Sequence, residues 1–218
     1  MPIAQQGMLE FEAQFRDFIA KEMVTDAAHD LQHVERVVKT AKMLSEEEGA
    51  KLEIVLPAAY LHDCFTYPKD HPKRKESAKM AADKAIDFLR TIQYPDIYLD
   101  AIHHAIMAHS FSANVTPLTI EAKVVQDADR LGSLGAIGVA RCLFVAVGFG
   151  SALYSADDPF AATRALDDKS FTVDHFYTKL FKLESMMQTA TAKKEARQRS
   201  QFMQDFLTQL SNEINDAT

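Results

Sequence analysis

The stretch Leu56-Pro57-Ala58-Ala59-Tyr60-Leu61-His62-Asp63-Cys64-Phe65 sets a histidine and an aspartate side by side in an apolar, helix-like run. Removing an imidazole and a carboxylate from water costs several kcal/mol unless the two groups are paired or bind a metal. A buried His–Asp hydrogen bond would meet that requirement. A divalent cation would also meet it, since neutral imidazole and carboxylate suit zinc, manganese or iron. The pair alone does not choose between these explanations.

Length and composition predict one soluble globular domain. The 218 residues are 47% hydrophobic and 25% charged, which is enough to bury a substantial core. The formal charge of -7 gives no general attraction to phosphate backbones, so we expect neither duplex nucleic acid nor a membrane as partner. Cys64 and Cys142 lie in apolar runs, and there is no signal-peptide pattern or apolar stretch of about 18 residues. We therefore predict a reduced, cytoplasmic protein.

Apolar residues recur at three- and four-residue intervals along most of the chain, which predicts amphipathic helices and an all-α fold. The first helix is expected from Met8 to Met23, and the second begins near Asp30 as its N-cap. Pro57 is expected to open the helix that carries His62 and Asp63, because proline suits a first turn. Further helices are predicted from Ser77 to Leu89, Ile97 to Phe111, Glu121 to Phe149, Val173 to Ala190 and Lys193 to Leu210. No stretch has the alternation of a convincing strand.

Two features stand out in the C-terminal half. Gly132, Gly135 and Gly138 recur every third residue within the predicted Glu121 to Phe149 run. Glycine inside a helix costs up to about 1 kcal/mol relative to alanine, so we expect close helix packing to compensate. Residues 150–170 lack any clear periodicity, and we interpret them as a lid-like connection, although a flexible linker would have the same pattern.

Histidines and a basic loop supply the other candidates for chemistry. His33 lies at the edge of the apolar stripe of the second helix, where an ordinary packed histidine is the simpler explanation. His109 shares a helix face with Ile102 and Ala105, whereas His103 and His104 turn away from it. The run from Thr66 to Lys75 is polar and basic, and it would suit phosphate oxygens, although solvated loops have the same composition.

Taken together, the polar residues on apolar helices are His33, then His62-Asp63, then Asp127 and Asp129 with Arg130 beside them. This pattern resembles the HD-domain metal-dependent phosphohydrolase superfamily, and within it the bacterial YpgQ/YedJ-like branch. The resemblance is carried by His29-Asp30-Leu31-Gln32-His33-Val34-Glu35-Arg36-Val37, Leu61-His62-Asp63 and Gln126-Asp127-Ala128-Asp129-Arg130-Leu131. It extends over roughly residues 20 to 210 through Ala108-His109-Ser110-Phe111-Ser112, the stretch from Gly135 to Arg141, and His175-Phe176-Tyr177 through Arg199 to Phe206-Leu207.

The resemblance implies an HD-domain helical bundle with additional C-terminal helices. We expect a single domain over residues 1–218, with an HD core at about 20–145, the connection at 150–170 and the C-terminal helices at 173–210. It also implies one divalent metal held by His33, His62, Asp63 and one aspartate of the Asp127/Asp129 pair. Manganese is the expected ion, and Mg2+, Fe2+, Ni2+ and Zn2+ are the alternatives.

The branch implies hydrolysis of nucleoside triphosphates to a monophosphate and pyrophosphate. A metal with open positions acidifies a bound water and so supplies the hydroxide for in-line attack at phosphorus. Of the two helical aspartates, the superfamily's Ala-Asp followed by a basic residue favours Asp129 as ligand, with Asp127 orienting a ligand or substrate. His109 is the candidate for protonating the leaving oxygen. Phosphate contacts are expected from Lys69, Lys73, Arg74 and Arg130.

One departure and three alternatives remain. Related sequences tend to carry an aspartate where this chain has Gly132, which leaves substrate specificity open. An HD-fold di-iron oxygenase would need further histidine ligands, for which His71, His104 and His109 are the candidates. A phosphatase or phosphodiesterase that acts on another small phosphorylated metabolite is the second alternative. The third is a nucleotide-binding or regulatory module that has lost catalysis, and the intact set of expected ligands argues against it. The sequence predicts no oligomeric state.

Overall fold

The computed structural model describes residues 3–22, 30–67 and 71–216, and within these ranges the chain is all-α, as predicted. Short 3-10 helices cover Arg74–Glu76 and Asp96–Tyr98, and a π-helical turn covers Phe176–Leu180. In the described part of the chain, β structure is limited to one isolated bridge between Ala152 and Phe171. The α-helices are α1 (Gln5–Glu22), α2 (Leu31–Glu48), α3 (Leu52–Leu61), α4 (Ser77–Thr91), α5 (Leu99–His109), α6 (Ile120–Leu131), α7 (Gly135–Phe149), α8 (Thr172–His175), α9 (Lys182–Ser185) and α10 (Ala190–Asp216).

The chain divides into two compact units, Met1–Asp129 and Arg130–Thr218. The first unit contains α1 to α5 and most of α6, and the second contains α7 to α10. The single domain predicted over residues 1–218 stays a prediction.

No single helix among the described residues is both long and apolar enough to cross a membrane. The successive helices α6 and α7 meet that criterion of length and composition only together, as a bent pair.

Helix α3 lies at the centre of the first unit. It packs against α1, α2, α4 and α5, and every residue from Ile54 to Leu61 is buried. A helix that is enclosed on all sides has no need of a polar face, which accounts for its nearly uniform apolar sequence. The residues that follow α3 are therefore delivered into the middle of the unit.

Pro57 lies inside α3, so the prediction that it opens the helix is wrong. Proline has no N–H to donate to the carbonyl four residues earlier, which belongs to Glu53. The hydroxyl of Tyr94 donates to that Glu53 carbonyl instead, at 2.6 Å. The helix ends at Leu61, so His62 and Asp63 stand in the following turn rather than within the helix.

The predicted run from Glu121 to Phe149 is broken between α6 and α7. Gly135 begins α7 with a φ of 70°, a backbone conformation that residues other than glycine rarely adopt. A Cβ at Gly138 would lie 2.3 Å from the carbonyl oxygen of Ser133, within the turn that precedes the helix. At Gly138 the close approach is to the turn that precedes α7, so the expectation of packing against another helix is wrong at this glycine. At Gly135 the neighbour is the Arg199 side chain of α10, 3.2 Å from an added Cβ.

The C-terminal run predicted from Val173 to Ala190 is also interrupted. It forms the short helices α8 and α9 with the π-helical turn between them. The last helix agrees better with the prediction, because α10 includes the whole predicted segment from Lys193 to Leu210 and extends beyond it at both ends.

A buried ion pair organises the connection between α7 and α8. The Arg164 guanidinium donates to both carboxylate oxygens of Asp174, at 2.5 and 2.8 Å, and stacks over the Phe171 ring. The backbone N–H of Asp167 donates to the same carboxylate at 2.6 Å. Asp174 is fully buried, and these donors hold its pKa below the usual value. The connection is therefore an ordered loop that is held by the Asp174 carboxylate, and its role as a lid stays a prediction.

We predict that Asp174→Asn lowers the free energy of unfolding by roughly 2–3 kcal/mol at neutral pH, because it removes the partner of the Arg164 charge. A carboxyl with a depressed folded pKa stabilises the fold above its unfolded pKa, and this contribution is lost as the pH falls below about 4. The gap between variant and wild type should shrink over that acid range in denaturant titrations. Asp157→Asn, at an exposed residue of the same loop, is the matched control. A gap independent of pH would contradict this account.

Candidate metal centre

Three side chains from three helical segments converge in the first unit. His33 comes from α2, His62 follows α3, and Asp129 comes from α6. Among the described residues, these three offer one nitrogen or oxygen each, all within 4.8 Å of one another. Asp129 Oδ1 lies 3.5 Å from His33 Nε2 and 3.9 Å from His62 Nε2.

The start of α2 positions His33. Asp30 caps the helix, as predicted, and its side chain accepts a hydrogen bond from the His33 backbone N–H at 2.7 Å. The cap fixes the first turn of α2 and therefore the direction in which the His33 imidazole leaves the backbone. That imidazole is 1% exposed.

The ring of His62 has a defined tautomer. Its Nδ1 lies 2.8 Å from the Ala59 carbonyl oxygen, which can only accept, so Nδ1 carries the proton and Nε2 carries the lone pair. In the described structure, Nε2 is buried and makes no hydrogen bond. Burial lowers the pKa of His62 and keeps the ring neutral. A neutral imidazole with its lone pair aimed into a polar cluster is what a metal ligand requires.

The spacing of these donors fits a divalent cation. Two ligand atoms that each lie about 2.1 Å from one ion, in tetrahedral geometry, are roughly 3.4 Å apart. The observed separation of 3.5 Å between His33 Nε2 and Asp129 Oδ1 is close to that value. A direct hydrogen bond would be shorter, at about 2.9 Å.

Asp63 connects His62 with a third histidine. Its Oδ2 lies 3.5 Å from His62 Nε2, and its Oδ1 lies 3.6 Å from His109 Nε2. Burial alone would raise the pKa of Asp63, but the two imidazoles outweigh it and hold that pKa well below its usual value. Asp63 stands at the edge of the three-residue cluster, so its place as a fourth ligand stays a prediction.

His109 is buried at the end of α5, on the face predicted from the helical spacing. Its Nδ1 faces the Ile106 carbonyl oxygen and carries a proton. Burial works against a charged ring, but the Asp63 carboxylate outweighs it and raises the pKa of His109. The pKa of His62 is thus lowered and that of His109 is raised, although the centres of the two rings are only 5.0 Å apart.

The two aspartates of α6 occupy different surroundings. Asp129 faces the histidines and retains 27% side-chain exposure, whereas Asp127 is fully buried. Burial alone would raise the pKa of Asp129, but His33, His62 and His109 hold it far below the usual value. This geometry agrees with the preference for Asp129 over Asp127, and the ligand assignment itself stays a prediction.

The structure gives less information about the basic residues that are expected to contact phosphate. Lys69 lies outside the described residues. Lys73 is exposed, and the Arg74 guanidinium donates to the Thr66 hydroxyl and the Tyr67 carbonyl within its own loop.

Arg130 begins the second unit. Its guanidinium donates to the Met186 carbonyl at 2.8 Å, within that unit. Its predicted phosphate contact, like those of Lys73 and Arg74, stays a prediction.

Two of the three additional histidines considered for a di-iron site, His71 and His104, make hydrogen bonds away from the cluster, whereas His109 lies beside it. His104 Nε2 accepts a hydrogen bond from the Leu118 backbone N–H at 3.0 Å. His71 Nδ1 accepts one from the Lys73 backbone N–H at 3.1 Å, and its ring stacks on Tyr67. Neither histidine belongs to the metal-ligating cluster found among the described residues.

Comparisons with known proteins identify the family of the chain. The family model of the HD domain matches residues 30–134. The YpgQ protein of Bacillus subtilis is 33% identical over 207 residues, which cover 92% of each chain. The crystal structure of YpgQ in complex with ADP superposes with a TM-score of 0.72, covering 94% of this chain and 95% of that one at 32% identity. An HD-superfamily hydrolase from Bacillus thuringiensis is 33% identical with a TM-score of 0.73, covering 95% and 98%.

Two features of the site were not predicted from the sequence. One is the contact between Asp63 and His109, which are far apart in the chain and meet only through the packing of α3 on α5. The other is the Ala59 carbonyl that sets the His62 tautomer. That partner could have been anticipated only if the end of α3 at Leu61 had been predicted.

We predict that His62→Ala and Asp63→Ala each lose the metal, which we expect at about one divalent ion per chain. Removing the His62 imidazole takes away a buried nitrogen donor that makes no hydrogen bond among the described residues. Metal content should be measured by mass spectrometry after dialysis against manganese, together with turnover.

His103→Ala is the matched control, because His103 pairs with Asp83 on the surface, 2.9 Å away, and lies outside the cluster. It should keep both metal and activity. Full metal content and full turnover in both site variants would refute the assignment.

We predict that Asp129→Asn loses metal and that Asp127→Asn keeps most of it, with a rate about 10–100-fold lower. The reason is that Asp129 is the α6 carboxylate within reach of His33 and His62. Metal content and rate should be measured in parallel on the two variants. The opposite order would transfer the ligand role to Asp127.

Proposed function

The chain belongs to the HD-domain family of metal-dependent phosphohydrolases, and from that premise we propose that it hydrolyses nucleoside triphosphates to a monophosphate and pyrophosphate. The observation that carries the metal-dependent chemistry is the buried Nε2 of His62, whose lone pair meets His33 and Asp129 in a cluster with metal-ligand spacing. The substrate and the scissile bond are the proposed part.

His33, His62, Asp129 and Asp63 would hold the cation in this proposal. The bound ion would supply Lewis acidity, acidifying a water molecule and neutralising charge on the phosphate. Manganese is the ion we propose, as the resemblance to the YpgQ/YedJ-like branch implies, and the mixed nitrogen and oxygen donor set of two imidazoles with two carboxylates is compatible with it.

His109 and Asp127 have separate roles. The raised pKa of His109 leaves a proton on the ring at higher pH than usual, which suits a group that donates to a leaving oxygen. Asp63 orients that ring, since its Oδ1 faces His109 Nε2. Asp127 lies two residues before Asp129 and would orient a ligand or substrate from within the core.

A nucleotide substrate has two supports. YpgQ, which is 32% identical to this chain, has been crystallised with ADP. The chain itself follows Asp63 with a loop that is rich in lysine and arginine, including Lys69, Lys73 and Arg74. These cations, with Arg130, would supply local attraction for a polyphosphate that the net charge of -7 does not.

We also propose a cytoplasmic location, in keeping with the free thiols of Cys64 and Cys142.

The products identify the scissile bond. We expect the manganese-loaded protein to release pyrophosphate and a monophosphate from nucleoside triphosphates, as measured by anion-exchange chromatography. In water labelled with heavy oxygen, phosphorus NMR should then find the label in the monophosphate, because attack occurs at the α phosphorus.

Asp129→Asn should abolish turnover, whereas His103→Ala, a surface histidine outside the cluster, should not. First products of orthophosphate and a diphosphate would refute the proposal. So would turnover confined to monoesters or to other small phosphorylated metabolites.

A further inference from the structure

Gln126 is a buried polar residue of α6 for which the proposed chemistry has no use. Its side chain is 3% exposed, and its amide nitrogen donates to the Ala108 carbonyl of α5 at 2.6 Å. Its Oε1 accepts no hydrogen bond from the described part of the chain. Gln126 and Ala108 both belong to the first unit. The amide is therefore anchored by one contact, and that contact leads to α5.

The Ala108 carbonyl needs a donor because α5 ends one residue later. Ser110 adopts an extended conformation, with φ of -70° and ψ of 127°, so the following N–H groups do not return to the last turn of the helix. Two carbonyls of that turn have side-chain partners. The Ile106 carbonyl accepts from the His109 ring, and the Ala108 carbonyl accepts from Gln126.

The orientation of the amide follows from this partner. A carbonyl oxygen can only accept, so the Gln126 amide must present its nitrogen to Ala108. The opposite orientation would bring two oxygens together in a buried place. Gln126 thus acts as a donor that closes the C-terminal end of a neighbouring helix.

Resting on the proposed function, in which His109 protonates the leaving oxygen, we propose that Gln126 is a positioning residue for His109. Gln126 holds the peptide that enters His109, and Ile106 holds the ring, so the two contacts together fix Nε2 beside Asp63. Gln126 lies three residues before Asp129 on α6, which places the two side chains on neighbouring positions of one helix face. A single helix then sets the spacing between the proton donor and the metal ligand.

The test is Gln126→Met, which keeps the length of the side chain and removes the donor. We expect kcat to fall about 10–100-fold while KM and metal content stay near the wild-type values. Ser45→Ala is the matched control, because it removes another buried side-chain to backbone hydrogen bond, to Ala41, roughly 18 Å further along α2 than His33. It should lower stability without changing kcat. Equal kinetic losses in the two variants, or loss of metal in Gln126→Met, would overturn the proposal.

A double-mutant cycle separates positioning from general damage. In a His109→Ala background, Gln126→Met should lower kcat by no more than about twofold, since the residue through which it acts is gone. Independent, additive losses would overturn the proposal.

A second readout does not depend on turnover. In nitrogen NMR spectra of the histidine rings, Gln126→Met should move or broaden the His109 signals and leave those of His33 and His62 in place. Unchanged His109 signals would refute the role of Gln126. Failure of the wild-type protein to hydrolyse nucleoside triphosphates would refute the proposed function, and the NMR result would still decide the role of Gln126.

Discussion

The hydrogen bond from His62 Nδ1 to the Ala59 carbonyl is the interaction on which the site depends. It forms because α3 ends at Leu61, which leaves the last carbonyls of the helix open to a side chain. It fixes the ring in one tautomer and aims the other nitrogen at His33 and Asp129. A buried imidazole without this anchor would be free to turn Nε2 away from the cluster. The central position of α3 and the termination of that helix are therefore requirements of the chemistry.

The positions of the histidines and aspartates were predictable from the sequence to the extent that they follow helical periodicity or local caps. Asp30 as an N-cap and His109 on the buried face of α5 were both predicted in this way and confirmed. Helix ends were predicted less well. The break at residues 132–134 depends on a turn whose carbonyl lies against Gly138, and no hydrophobic pattern records such a contact. The prediction that Pro57 opens the helix was also wrong. The Tyr94 hydroxyl, which bonds the Glu53 carbonyl in place of the missing N–H of Pro57, is distant from that proline in sequence.

The pKa values of two neighbouring imidazoles, His62 and His109, are shifted in opposite directions, which suits the separate roles that we propose for them. Burial keeps His62 neutral, while Asp63 outweighs burial at His109. In the proposed function, the neutral His62 ring would donate electrons to a metal and the protonated His109 ring would donate a proton. Burial favours the first role, and the Asp63 carboxylate favours the second. Sequence reasoning could nominate His109 but could not pair it with Asp63, because that contact arises from the packing of two helices rather than from spacing along one.

The replacement of a backbone donor by the Tyr94 hydroxyl has a consequence for how this chain can vary. A residue with an N–H at position 57 would compete with Tyr94 for the Glu53 carbonyl, and loss of the Tyr94 hydroxyl with Pro57 in place would remove the donor to that partly buried carbonyl. The two positions are therefore epistatic: the effect of changing either depends on the residue at the other. A proline inside α3 is thus accompanied by a phenolic hydroxyl from the segment after α4, which donates to the carbonyl that the proline cannot reach. Substitutions at the centre of this fold should accordingly be accepted in pairs rather than singly.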